Sequence, residues 1–163
     1  TWGKGLDKQY DLSFVGFLNQ GDGTDESNDR IEWLDHAFKN FPNSWLAFQC
    51  FFEDMAVRMI RGRLGFNISI RNDLNMRFFE ILSTGTCLLT NTNVEGIDDL
   101  GFEDEVHFIG YDSKDALVDK SKFYLDNPVE REKIAQAGHD KVRAGHTYHQ
   151  RMQRILDDFK VAA

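Results

Sequence analysis

Short apolar runs alternate along this chain with segments in which apolar side chains recur every third or fourth position. The first pattern has the period of buried strands, the second that of helices packed on one face. Residues 11–18 predict a first strand that runs into a glycine-containing turn at Gly21 and Gly23. Asn28 or Asp29 can cap a helix in which Ile31, Leu34, Ala37 and Phe38 share a face, ending before Pro42. Residues 44–50 predict a second strand, 53–61 a helix carrying Met55, Met59 and Ile60, and 64–70 a third strand apolar enough to be covered on both faces. Asn72 or Asp73 then caps a helix through Ser83, with Leu74, Phe78, Ile81 and Leu82 on its inner face and Gly85 just beyond its end. Residues 86–90 and 106–110 predict the fourth and fifth strands, with an acidic loop between them. Three helices follow: 114–125 capped by Ser113, one opened by Asn127 and Pro128, and one over about 147–159.

Strands that alternate with helices of this length need crossover connections, so the expected fold class is α/β, a Rossmann-like doubly wound parallel sheet flanked by helices. Such sheets bind ligands beyond the carboxyl ends of their strands. Those ends are residues 16–21, 49–52, 69–73, 90–93 and 110–112. With no repeat, low-complexity tract or linker in its 163 residues, the chain reads as a single domain, 1–163.

Composition narrows the chemistry. A net charge of −8 argues against a partner gripped through a broad basic face, so no nucleic acid is expected. Charge is unevenly spread, however. Residues 55–79 hold Arg58, Arg61, Arg63, Arg71 and Arg77 against one acid, Asp73, so this stretch carries +4 and the remainder −12. It can hold an anion, although arginines also serve to complement helix carbonyls and neighbouring acids. Cys50 and Cys87 lie in apolar runs without ligand spacing and read as free thiols of a reducing, cytoplasmic compartment. No run is long and apolar enough for a transmembrane segment, and the start at Thr1 suggests a piece of something longer.

Other conspicuous residues add less. His146 and His149 stand three apart with no third ligand in view, so no metal is expected. His107 reads as packed within its strand, and Phe51 and Phe52 as buried aromatics in preference to a stacking platform. Neither the Gly-x-Gly-x-x-Gly fingerprint nor a phosphate-binding P-loop occurs.

The most informative stretch, residues 66–90, compresses strand, polar turn, capped helix, glycine and strand. A helix start with arginines nearby suits a diphosphate. Arg77, Glu80 and Thr84 share a non-core face of the helix, where a carboxylate can accept hydrogen bonds from a ribose diol or simply pair with Arg77.

The order of polar turn, helix ending Phe-Glu-Ile-Leu-Ser-Thr-Gly-Thr and strand Cys-Leu-Leu-Thr resembles the donor-binding element of retaining glycosyltransferases of GT-B architecture, in particular the group 1 or spore-maturation-type branch. Residues 11–16, 124–138 and 146–151 resemble the first strand and trailing helices of that family's C-terminal domain. The resemblance implies two glutamates with seven residues between them. Glu80 stands at the second position, which contacts the donor ribose, and Asn72 at the first, near the sugar and phosphate. An amide there can bond sugar hydroxyls but cannot act as a base, and Asp73 beside it is a substitute.

The catalytic candidates are thus Asn72 and Glu80. The donor-binding candidates are Gly16 and Asn19 in the loop after the first strand, Arg71, Asp73 and Arg77 around the polar turn, and Gly85 and Thr86 in the turn after the helix. By this resemblance the chain is a nucleotide-sugar-binding domain that transfers sugar from a nucleoside-diphosphate donor with retention and needs no metal or other cofactor. Its partners are then the donor and a missing N-terminal acceptor domain. The alternative is a non-catalytic Rossmann-like module that binds a nucleotide or nucleotide sugar.

Overall fold

The structure, a computed structural model, describes residues 6–17, 25–69 and 72–161, with the backbone alone for 25–28, 160 and 161. Asn19 and Arg71 lie outside the described residues. Five strands, β1 (Tyr10–Val15), β2 (Trp45–Ala47), β3 (Gly62–Phe66), β4 (Cys87–Asn91) and β5 (Ile109–Tyr111), form one sheet in the order β2-β1-β3-β4-β5. Every neighbouring pair is parallel. The helices are α1 (Asp25–Asn40), α2 (Phe52–Arg61), α3 (Met76–Ser83), α4 (Lys114–Asp126), α5 (Pro128–Gly145) and α6 (Tyr148–Val161). This is the α/β Rossmann-like architecture expected from the pattern.

Alternation along the strands divides the core into two layers. Leu12, Phe14, Leu64, Phe66, Leu89 and Ile109 pack with Leu34, Ala37 and Phe41 of α1 and Leu117 of α4. Val15, Ala47 and Leu88 face the other way, against Met59 of α2 and Phe78, Ile81 and Leu82 of α3. Central strands with both faces covered are apolar on both, which is why β3 and β4 read as continuous apolar runs.

Several boundaries move, each for a local reason. β2 is an edge strand bonded only to β1, and it stops at Ala47, after which Gln49 and Phe52 both take φ of 51°. The Phe51 and Phe52 rings therefore leave the core and are 57% and 88% exposed, overturning their expected burial. β5 starts at Ile109, because the Asp104 carboxylate accepts from the backbone N–H groups of Glu105 and Gly110 and holds 104–108 as a turn. His107 lies in that turn, where its Nδ1 accepts from Glu103 N at 3.1 Å. Asn72 and Asp73 do not cap α3. Asn75 does, its Oδ1 accepting from Phe78 N at 3.2 Å, while Asn72 sits in the left-handed region at φ 57°, a conformation asparagine tolerates well. Residues 67–69 and 72–75 thus lie outside regular structure beyond the carboxyl end of β3.

The chain leaves β1 outward to β2 and returns across β1 to β3, so the direction of winding reverses between β1 and β3. At that reversal the connections diverge to opposite faces and open a crevice at the carboxyl edge.

Candidate functional site

Two arginines from different helices converge on the crevice. Arg77 stands in the first turn of α3, a turn that contains no acidic residue. A cation there opposes the positive end of the helix dipole, so local preference does not explain it. Its guanidinium lies over the Phe14 ring, with Cζ 5.0 Å from the centroid. Gly16, at the end of β1, makes room: a Cβ at that position would come within 2.5 Å of Arg77 Nη2. Burial pulls the Arg77 pKa down to about 10, Arg30 adds repulsion, and Glu80 opposes the fall. No described residue forms an ion pair with Arg77.

Arg30 of α1 is the second cation, and composition hid it among the acids of its own helix, Asp25, Glu26, Asp29 and Glu32. Its Nη1 donates to Phe17 O at 3.1 Å, while its buried Nε has no described partner. Burial also lowers its pKa, with Asp73 acting the other way. Two partly desolvated guanidinium groups that repel each other, with no described ion pair on either, have the chemistry to hold an anion.

Glu80 lies one turn further along α3, half-buried. Burial raises its pKa and Arg77 counteracts this, yet no ion pair joins the two side chains. The carboxylate lines a recess of about 180 Å3 with Phe79, His146, Tyr148 and Arg151. Here Arg151 and the His146 ring both lie over Phe79, at 4.6 Å and 6.0 Å. His146 is spent on aromatic packing, and among the described residues no group of three or more His, Cys, Asp or Glu side chains is placed to hold a metal.

On the other side of Arg30 a cavity of about 310 Å3 opens between α1 and the ends of β3, β4 and β5. Arg30 and Trp33 line it from α1, Ser69 and Asn72 from beyond β3, Asn91 from the end of β4 with Asn93 just after it, and Asp112 from just after β5. Asp73 belongs to the bordering loop, where its Oδ1 accepts from Ser69 Oγ at 3.0 Å. Gly16 and Arg77 therefore meet at the carboxyl end of β1 and Asn72 and Asp73 border the neighbouring cavity, while Glu80 lines a separate recess one helical turn beyond Arg77. The carboxyl ends of β1 and β2 add an exposed aromatic patch, with the Phe17 and Phe51 rings 6.3 Å apart and 51% and 57% exposed.

Gly85 and Thr86 do not join them. They precede β4 and so lie at its amino edge, opposite the crevice. Gly85 takes φ 72° to end α3, and no atom approaches where its Cβ would be. Thr86 is fully buried, its hydroxyl donating to Met59 O at 3.0 Å. The donor contact expected of these two is replaced by a structural role, turn and strand start.

A family model described as glycosyl transferase-like matches residues 26–157. The chain belongs to that family. Its match takes in α1 with Arg30, the whole of the 66–90 element and most of α6. A search of curated proteins returns no match. Among solved structures, the C-terminal domain of a group 1 family glycosyl transferase, LpcC from Francisella tularensis, is similar at a TM-score of 0.61 and 13% identity, over 89% of this chain and 90% of that one. Sucrose-phosphate synthase from Thermosynechococcus elongatus is similar at a TM-score of 0.66 and 17% identity, over 94% of this chain but 39% of that one. These likenesses establish the fold as that of one half of a GT-B glycosyltransferase. Among the described residues no helix is long and apolar enough to cross a membrane.

Proposed function

We propose that this domain binds the nucleoside-diphosphate sugar in a glycosyltransferase, with the diphosphate over the end of β1 between Arg77 and Arg30. The observation that carries the reading is the Arg77 guanidinium, desolvated against Phe14 and Gly16 with no described ion-pair partner. A protein retains such a strained cation where an anion completes it.

The remaining parts follow in order along the edge. Glu80 accepts from the ribose hydroxyls, the exposed Phe17 and Phe51 rings offer a face on which the base stacks, and the sugar enters the cavity lined by Asn72 and Asp112. During transfer the bond from the anomeric carbon to the diphosphate oxygen breaks and its electron pair stays on that oxygen. Arg30 and Arg77 already face this charge, so leaving-group stabilisation is electrostatic and calls for no metal. Retention of configuration accords with the family resemblance of the 66–90 element. Asn72 cannot serve as a base, which also keeps the second reading in view, a domain that binds the donor without turning it over.

In this reading the 163 residues are one donor-binding domain of a two-domain cytoplasmic protein, and an N-terminal domain carries the acceptor. Two features support a missing companion. The similar LpcC fragment is itself a C-terminal domain, and α6 exposes Tyr148, Met152, Ile155 and Phe159 along one side, with accessibilities between 49% and 71%.

A thermal-shift panel of UDP, GDP, ADP and their sugars tests the assignment, since a ligand that binds only the folded chain raises its melting temperature. One nucleotide series should stabilise the chain, and Arg30→Ala and Glu80→Ala should each weaken its binding by roughly tenfold or more, the worth of one hydrogen bond to a charged group. Absence of a shift with every nucleotide would overturn the donor-site reading.

A further inference from the structure

The polar side chains along the cavity are bonded in series, and the direction of the series is fixed at one end. Ser69 N, a backbone group that can only donate, donates to Asn91 Oδ1 at 2.8 Å. The Asn91 amide nitrogen is therefore turned outward, donating to Ser69 O at 3.3 Å and to Asn93 Oδ1 at 2.6 Å. With its oxygen occupied, Asn93 presents its own nitrogen, which donates to Asn72 Oδ1 at 2.6 Å. Each amide in turn has its oxygen used by its predecessor. The last one, Asn72, is left with its Nδ2, and no described residue accepts from it.

Backbone contacts hold this end in place. Asn72 adopts the left-handed conformation, and its carbonyl accepts from Glu95 N at 2.8 Å. Position 72 therefore cannot easily turn its amide round without breaking the bond to Asn93. Arg30 also lines the cavity, and its Nε is buried and lacks a described partner.

We infer that the relay Ser69–Asn91–Asn93–Asn72 makes position 72 an obligate hydrogen-bond donor, so that this subsite recognises an acceptor oxygen of the donor substrate. This rests on the donor-site reading and sharpens it. Position 72 is a specificity-determining residue for a phosphoryl or sugar-borne carbonyl or carboxylate oxygen; it is not a weakened version of a carboxylate. A carboxylate introduced there would still accept from Asn93, and its second oxygen would face the ligand's acceptor with like polarity and added charge.

Asn72→Asp is the test, because Asp and Asn both tolerate the left-handed conformation and the side chain is exposed. Binding is measured by calorimetry with the free nucleoside diphosphate that stabilises the parent chain, its neutral hexose conjugate and its hexuronate conjugate. Asn72→Asp should weaken binding by about tenfold or more, and Asn72→Ala by less, since it removes a donor without adding a charge. Loss with the free diphosphate assigns the acceptor to the phosphoryl group. Loss confined to a conjugate assigns it to the sugar. Asn93→Asp gives an independent check, because an aspartate there accepts from position 72 and turns its carbonyl toward the cavity; binding should fall again although residue 93 takes the charge. Parent-like or tighter binding by Asn72→Asp overturns the inference and leaves the donor site standing. Failure of the parent chain to bind any nucleotide overturns both.

Discussion

Replacing Arg77 with methionine should stabilise the empty domain while removing its hold on a diphosphate. Burial and the proximity of Arg30 pull the guanidinium down to about 10, far below an ordinary arginine but still protonated at neutral pH. The charged form is thus carried into the fold at a penalty on the order of 3 kcal/mol, taking 1.36 kcal/mol per decade. Against this stands the contact between the guanidinium and the Phe14 ring, worth about 1 kcal/mol at a partly desolvated site. Methionine keeps an unbranched stem over Phe14 and fills irregular space well. The net expectation is a gain of about 1–2 kcal/mol, read as a higher urea midpoint at unchanged slope, or about 2–4 °C per kcal/mol in a thermal melt. The same variant should lose nucleotide-dependent stabilisation. If Arg77→Met instead loses more than about 1 kcal/mol, the arginine is a structural strut, and the argument from uncompensated charge is refuted.

Two further outcomes follow from the same geometry. Gly16→Ala should weaken diphosphate binding by roughly tenfold, about one charge-assisted hydrogen bond, because the new Cβ would fall 2.5 Å from Arg77 Nη2 and push the guanidinium aside. Its melting temperature should change little, since the displaced group is the far end of a long side chain and not backbone, and a large fall in stability would contradict this. His107 and His146 are both held below the usual imidazole range, first by burial and then by Lys141, with Arg151 and Arg154 adding to the effect on His146. Their folded pKa values are depressed, so as pH falls below about 6.5 the unfolded chain binds protons first and stability is lost. Urea unfolding at pH 7.5 and 5.5 should show the loss, and His146→Asn should shrink it; equal sensitivity in the variant would count against His146 as a source.

Much of the fold was legible because it depends on local periodicity. The apolar runs, the Ser113 cap and the start of α5 at Pro128 appear where their side-chain chemistry places them. The failures share a cause, competition from partners distant in the chain. Asn72 has the chemistry of a helix cap, but Asn93 and Glu95 donate to its side-chain and backbone oxygens, and Asn75 caps the helix instead. Phe51 and Phe52 look like core residues by type, yet β2 is an edge strand and the backbone turns outward after it.

For the site, the sequence by itself determined that Arg77 and Glu80 share a face of one helix, because a spacing of three is a property of helical geometry. It also determined that strand ends carry the polar residues, since apolar runs of this length must be buried. Only the tertiary structure decided that Arg30 joins Arg77, because the order β2-β1-β3 sets the start of α1 and the start of α3 on either side of one strand end. The direction of the Asn72 amide was likewise decided there, by hydrogen bonds spanning 21 and 22 positions of sequence. A single residue's chemistry states what it can donate or accept, and the partners that use up one side of it are fixed only when distant strands are paired.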